Sequence, residues 1–147
     1  YEVNAWFRDD WRPLSAEEIE RALQMLRWNR ADLLAAAEGA SPAAMEEKQP
    51  GERWALRGVL NHVAGAEWWY LNRLDLGELT REMLPRDPFE RLPLVRAELE
   101  RVLPGLAGVQ RVLGKEGEFW SPRKMLRRVL QHERDHVGHV LKLAGKA

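Results

Sequence analysis

The stretch SPRKMLRRVLQHERDHVGHVLKL, residues 121–143, reads as one long amphipathic helix and decides the fold class. Ser121 can cap the free amides of a first turn, and Pro122 suits the position that follows. At about 100° per residue, His132 and His136 lie about 40° apart and one turn along, so both imidazoles can reach a common point. On the same wheel His139 sits near −20° from His132, roughly, while Met125, Val129, Val140 and Leu143 run from about 20° to 80°. The histidines therefore line one edge of the helix's apolar face.

Three further helical segments precede this one. Ser15 with Glu18 forms a capping box, and Gly39 is a stop, which predicts a first helix over 16–38 with Ile19, Ala22, Leu23, Leu26, Leu33, Leu34 and Ala37 as its apolar stripe. Residues 41–53 hold two prolines, Gly51 and several charges, and read as a loop. A second helix is predicted over 54–75. Asp87-Pro88 opens a third helical region to Leu113, with a break or kink at Pro93 or Pro104, since proline removes a backbone donor. The fourth spans 122–144. No stretch alternates with the period of a half-buried strand, so the class is all-α and the architecture a four-helix bundle.

Length and composition agree. A chain of 147 residues suits one core, and 45% hydrophobic against 31% charged residues is a globular balance. Residues 1–14, with Trp6, Phe7 and Trp11 among charges, read as an N-terminal arm packed on a bundle formed by 15–147. The chain opens at Tyr1 rather than Met, which leaves room for a leader or further domain upstream. Twenty-three basic and 23 acidic residues cancel, so no overall field draws nucleic acid or an anionic membrane. No apolar run reaches bilayer length. With no cysteine there is neither disulfide nor thiolate ligand, which is in keeping with a cytoplasmic protein and leaves histidine and carboxylate as metal donors.

The second helix repeats the edge arrangement with its single histidine. Val59, Val63, Ala66 and Tyr70 spread over about 40° to 100° from His62. Two such edges face to face would form an open pocket in which His62, His132 and His136 hold one divalent ion, with His139 as a neighbour or proton carrier rather than a ligand. Residues 132–136 also match the H-E-x-x-H motif of zinc metalloproteases. The match reads as accidental, because no strand and no downstream third ligand accompany it. Glu133 and Glu67 lie within apolar arcs, turned from the histidine edges, and Arg30 interrupts the first helix's stripe; a buried Arg30 network with one or both glutamates is preferred over a catalytic base. Arg123, Lys124, Arg127 and Arg128 read as a solvated face, with DNA binding as the weaker reading. Trp69 is expected to wall the pocket and Trp68 to mark a dimer contact.

Leu60-Asn61-His62-Val63-Ala64 and Glu67-Trp68-Trp69-Tyr70, with Trp120-Ser121-Pro122-Arg123-Lys124 and His132-Glu133-Arg134-Asp135-His136, resemble the DinB-like superfamily (DinB/YfiT-like metal-dependent enzymes) from about Ser15 onward. The resemblance implies a four-helix bundle of up-down-down-up topology, often a homodimer. It also implies a zinc, nickel or similar ion on one histidine of the second helix and the H-x-x-x-H pair of the fourth, which are His62, His132 and His136 here. Characterised members include S-transferases and isomerases that use a low-molecular-weight thiol, bacillithiol or mycothiol, whose pKa the metal is thought to lower; many others are described only as metal-dependent hydrolases. The expectation is a metal-dependent enzyme that activates such a thiol or a water for S-transfer to, or hydrolysis of, a small-molecule substrate. The alternative is a non-catalytic dimeric bundle with a structural or empty metal site.

Overall fold

The structure is a computed structural model and describes residues 4–146; the first three residues of the arm and Ala147 lie outside it. It is mainly α-helical. Helices α1 (Ala16–Ala37), α2 (Pro42–Glu46), α3 (Leu56–Asn72), α4 (Pro88–Val102) and α5 (Pro122–Leu143) are joined by single 3-10 turns and one small hairpin, β1 (Leu113–Lys115) and β2 (Glu118–Trp120).

Local chemistry sets the helix starts. Ser15 Oγ accepts from the Glu18 amide at 3.1 Å and the Glu18 carboxylate accepts from the Ser15 amide at 3.0 Å, the reciprocal box read from the sequence. Asp87 and Ser121 cap α4 and α5, each followed by proline at the first helical position. Pro93 does not end α4, which runs on to Val102. Pro104 instead opens a 3-10 turn, Leu103–Leu106, that stops the third helical region well short of Leu113.

Two differences from the sequence reading are additions. Ser41 caps the short α2 inside the expected loop. The hairpin pairs Leu113 with Trp120 and Lys115 with Glu118 around Glu116 and Gly117, both at positive φ (51° and 82°), the backbone of a two-residue hairpin turn. Strands of three residues are too short to show alternation, which is why the pattern gave no sign of them.

Helix α5 packs along α1 and α3, and α3 packs also on α4. One half of the core gathers Leu26, Leu99, Trp120 and Met125; the other gathers Leu33, Leu60, Val63 and Val140. Each fully buried leucine contributes about 1.5–3 kcal/mol of transfer free energy. No helix among the described residues is long and apolar enough to cross a membrane.

The arm is held by the basic row of α5, and here the expectation of a solvated face fails. Arg123 donates to the Arg12 and Pro13 carbonyls and to Glu18. Arg127 reaches the buried Asp10 at 2.8 Å, and Arg128 donates to the side chain of Asn4 at 3.0 Å. Lys124 is fully buried, donating to the Phe119 carbonyl with its ammonium 4.0 Å from the centroid of the Trp120 ring. Burial pulls its pKa below the ordinary lysine range.

Candidate metal centre

His62 projects from the middle of α3, and His132 and His136 project from successive turns of α5. Because these helices pack together, the two apolar edges meet as expected. One ring nitrogen from each histidine lies within 4.8 Å of the others, and His62 Nε2 and His132 Nε2 are 3.0 Å apart. The ring centroids form a triangle with sides of 4.8, 5.2 and 4.6 Å. Tetrahedral zinc with nitrogens at about 2.0–2.1 Å spaces its ligand atoms about 3.3 Å apart, so small side-chain rotations bring the trio to bonding geometry. Three imidazoles and no thiolate suit a divalent transition-metal ion in preference to a hard cation.

The imidazoles are held from outside. Trp54, in the loop before α3, stacks on His62 with centroids 4.6 Å apart. His139 Nε2 lies 2.9 Å from a Glu52 carboxylate oxygen, and His139 Nδ1 lies 3.3 Å from His136 Nδ1. An ionised carboxylate only accepts, so His139 donates to it through Nε2. Where the His139 Nδ1 accepts, His136 would donate through its own Nδ1 and keep Nε2 for a metal ion. This carboxylate-to-histidine chain is the arrangement that orients metal-binding imidazoles elsewhere. The hydrogen bond from His139 also holds the Glu52 carboxyl below its ordinary range. Glu52 gave no signal in the sequence, because a loop glutamate ten residues before His62 lies on no helical face.

His132 is the most enclosed of the three. Burial, then the neighbouring His136 and His62, push its pKa down to about 3, so it is neutral and able to offer a lone pair at neutral pH.

The glutamates stand apart from this centre. Arg30 Nε donates to Glu133 at 2.7 Å and its Nη2 lies 3.5 Å from Glu67. Arg96 of α4 binds Glu67 through two nitrogens at 3.1 and 2.9 Å, and Glu133 at 2.7 Å. Burial alone would lower the Arg96 pKa, but the two carboxylates outweigh it and hold it above the ordinary arginine range. The Arg30 network is thus as expected, with Arg96 as an unforeseen centre. Its signal was present: Arg96 lies about 40° from Leu92 on the wheel, inside the buried face of α4. The H-E-x-x-H glutamate, Glu133, faces guanidiniums rather than imidazoles.

His62 and His132 open onto a cavity of about 650 Å³ walled by Trp54, Trp68, Trp69 and Tyr70. Trp69 lines it as expected. Trp68 lines it too, and its indole N–H donates to the Leu79 carbonyl at 2.8 Å.

A family model described as the DinB superfamily matches residues 25–140, which contain all three histidines and the residues that line the cavity. The chain belongs to the DinB superfamily. No curated protein and no solved structure matches it. For a DinB-superfamily chain the three-histidine cluster fits a site for a divalent ion.

Proposed function

We propose that this protein is a metal-dependent enzyme in which His62, His132 and His136 hold one divalent ion, zinc or nickel. Its four long helices form an up-down-down-up bundle over residues 15–147, carrying the arm of residues 1–14. The observation that carries the reading is the convergence of three imidazoles, two of them, His62 and His132, at the wall of an aromatic cavity, with no fourth protein ligand in the group among the described residues. A structural ion is more often closed off by four ligands, whereas three leave a coordination position for chemistry.

The bound ion would supply Lewis acidity that lowers the pKa of a low-molecular-weight thiol or a water for S-transfer or hydrolysis. The protein's own groups do the rest. Glu52 and His139 fix the orientation of His136, Trp54 fixes His62, and the tryptophans exclude water around a small-molecule substrate. Met25 and Trp28, exposed on the outer side of α1, support a homodimer as the working form.

Calorimetric titration with zinc and with nickel tests the assignment. One ion per chain is expected, and His132→Ala is expected to abolish uptake while leaving the helical circular dichroism intact. Uptake unchanged in His132→Ala would remove the proposal. Exchange of a water on the bound ion, read by relaxation of the cobalt-substituted protein, separates a catalytic from a closed structural site.

A further inference from the structure

The cavity beside the imidazoles is built from one chemical pattern that the metal does not explain. Its wall is aromatic, and it contains two guanidiniums, Arg81 and Arg91, and no aspartate or glutamate among the described residues. Both cations are placed by the segment between α3 and α4. The Arg81 guanidinium carbon lies 4.9 Å from the centroid of the Trp68 ring, and Arg91 Nε donates to the Pro85 carbonyl at 2.6 Å. Trp68, bonded to Leu79, ties that segment to α3.

Several other buried or half-buried arginines are answered by acids, Arg30 and Arg96 by Glu67 and Glu133, Arg123 by Glu18 and Arg127 by Asp10, and the buried Arg128 donates to the side chains of Asn4, Gln131 and Tyr70. Arg91 is half-buried, and no carboxylate pairs with it or with Arg81 among the described residues. Burial draws the Arg91 pKa below the ordinary arginine value, the mark of a cation desolvated without a counter-ion. A guanidinium presents a planar fork of donors matched to a carboxylate or phosphate, and stacked aromatic walls match a flat apolar body. About 650 Å³ is the volume of a small-molecule site.

We propose that the cavity takes an organic anion, its carboxylate or phosphate held by Arg91 and Arg81 and its flat apolar body lying between Trp68, Trp69 and Trp54, with the opposite end directed at His62 and His132. This deepens the metal-enzyme reading by naming its substrate class, and rests on that reading only for what happens at the imidazoles. Anion recognition belongs to the arginines and is present without the ion.

The test is therefore run on full-length protein stripped of metal by chelator, where a carboxylate cannot bind by ligating the ion. Quenching of tryptophan fluorescence reports binding of phenylacetate, phenyl phosphate and the neutral isostere phenylacetamide. Both anions are expected to bind at least about tenfold more tightly than the amide, a preference lost in Arg91→Gln, reduced in Arg81→Gln and partly restored in Arg91→Lys. Whichever anion binds more tightly names the source of the charge. Equal affinity for phenylacetate and phenylacetamide, no binding of either anion, or an undiminished preference in both glutamine variants would overturn the proposal. Arg81 is exposed, so its variant remains informative even where Arg91→Gln unfolds. Failure of zinc uptake by the untreated protein would instead strike the metal reading and leave this measurement standing.

Discussion

Helix α3 carries His62 and Glu67 and helix α5 carries His132, His136 and Glu133 into the packed region between them, and the two kinds of side chain meet opposite treatment. Glu67 and Glu133 are almost fully buried and are met by two guanidiniums from α1 and α4. His62 and His132 converge nitrogen to nitrogen at 3.0 Å, joined by His136, at the wall of a cavity. In the first cluster the protein supplies both signs of charge, so the cluster is complete and ties four helices together. In the second it supplies lone pairs alone, an arrangement that fits a divalent cation. The same pair of helices thus separates a buried ion-pair tie from the candidate metal site.

The comparison breaks first at Arg96. Arg96→Met would leave two carboxylates in the interior with Arg30 alone, and urea unfolding is expected to show a loss of about 3–5 kcal/mol. A loss below about 1 kcal/mol would mean the quartet is not a structural tie. The histidine cluster has its own signature in acid. Folded His132 titrates near 3 against about 6.5 unfolded, so the unfolded chain binds more protons between those values. The stability of the metal-free protein should be at full strength above pH 6.5 and fall as the pH drops from there toward 3. In His132→Phe that slope should flatten, and a slope unchanged by the substitution would locate the acid sensitivity elsewhere.

A smaller effect sharpens the histidine side. Glu52→Ala frees His139 and with it the orientation of His136, and zinc affinity measured by competition with a chromogenic chelator should drop about tenfold. Indifference of the affinity would show that the chain from Glu52 does not position the ligand. Smallest of all is Arg134→Ala. Arg134 sits beside Glu133 in sequence, yet its bond to Asp32 is half-exposed, and its removal should shift stability by no more than about 0.5 kcal/mol.

Periodicity carried the histidine trio and the Arg30 network, because both depend on which face of a helix a residue occupies, and 100° steps report that directly. It also placed the starts of α1, α4 and α5, where serine or aspartate with proline or glutamate states the cap chemistry. It missed Glu52, whose position is set by a loop path, and the hairpin at 113–120, whose turn is stated only by Glu116 and Gly117. It misjudged Lys124 and Arg128, since a wheel shows that charges share a side but not that an arm from 100 residues away covers them. Arg96 was within its reach, a cation inside the leucine face of α4.

That covering arm has a practical consequence. Arg123, Arg127 and Arg128 spend their donors on Arg12, Pro13, Asp10 and Asn4. A chain trimmed to begin at Ser15 would strip Arg127 and Arg128 of their arm partners on one side of α5, with Arg123 still held by Glu18. It would cling to heparin and nucleic acid at low salt, and that stickiness would belong to the wound and not to the intact protein.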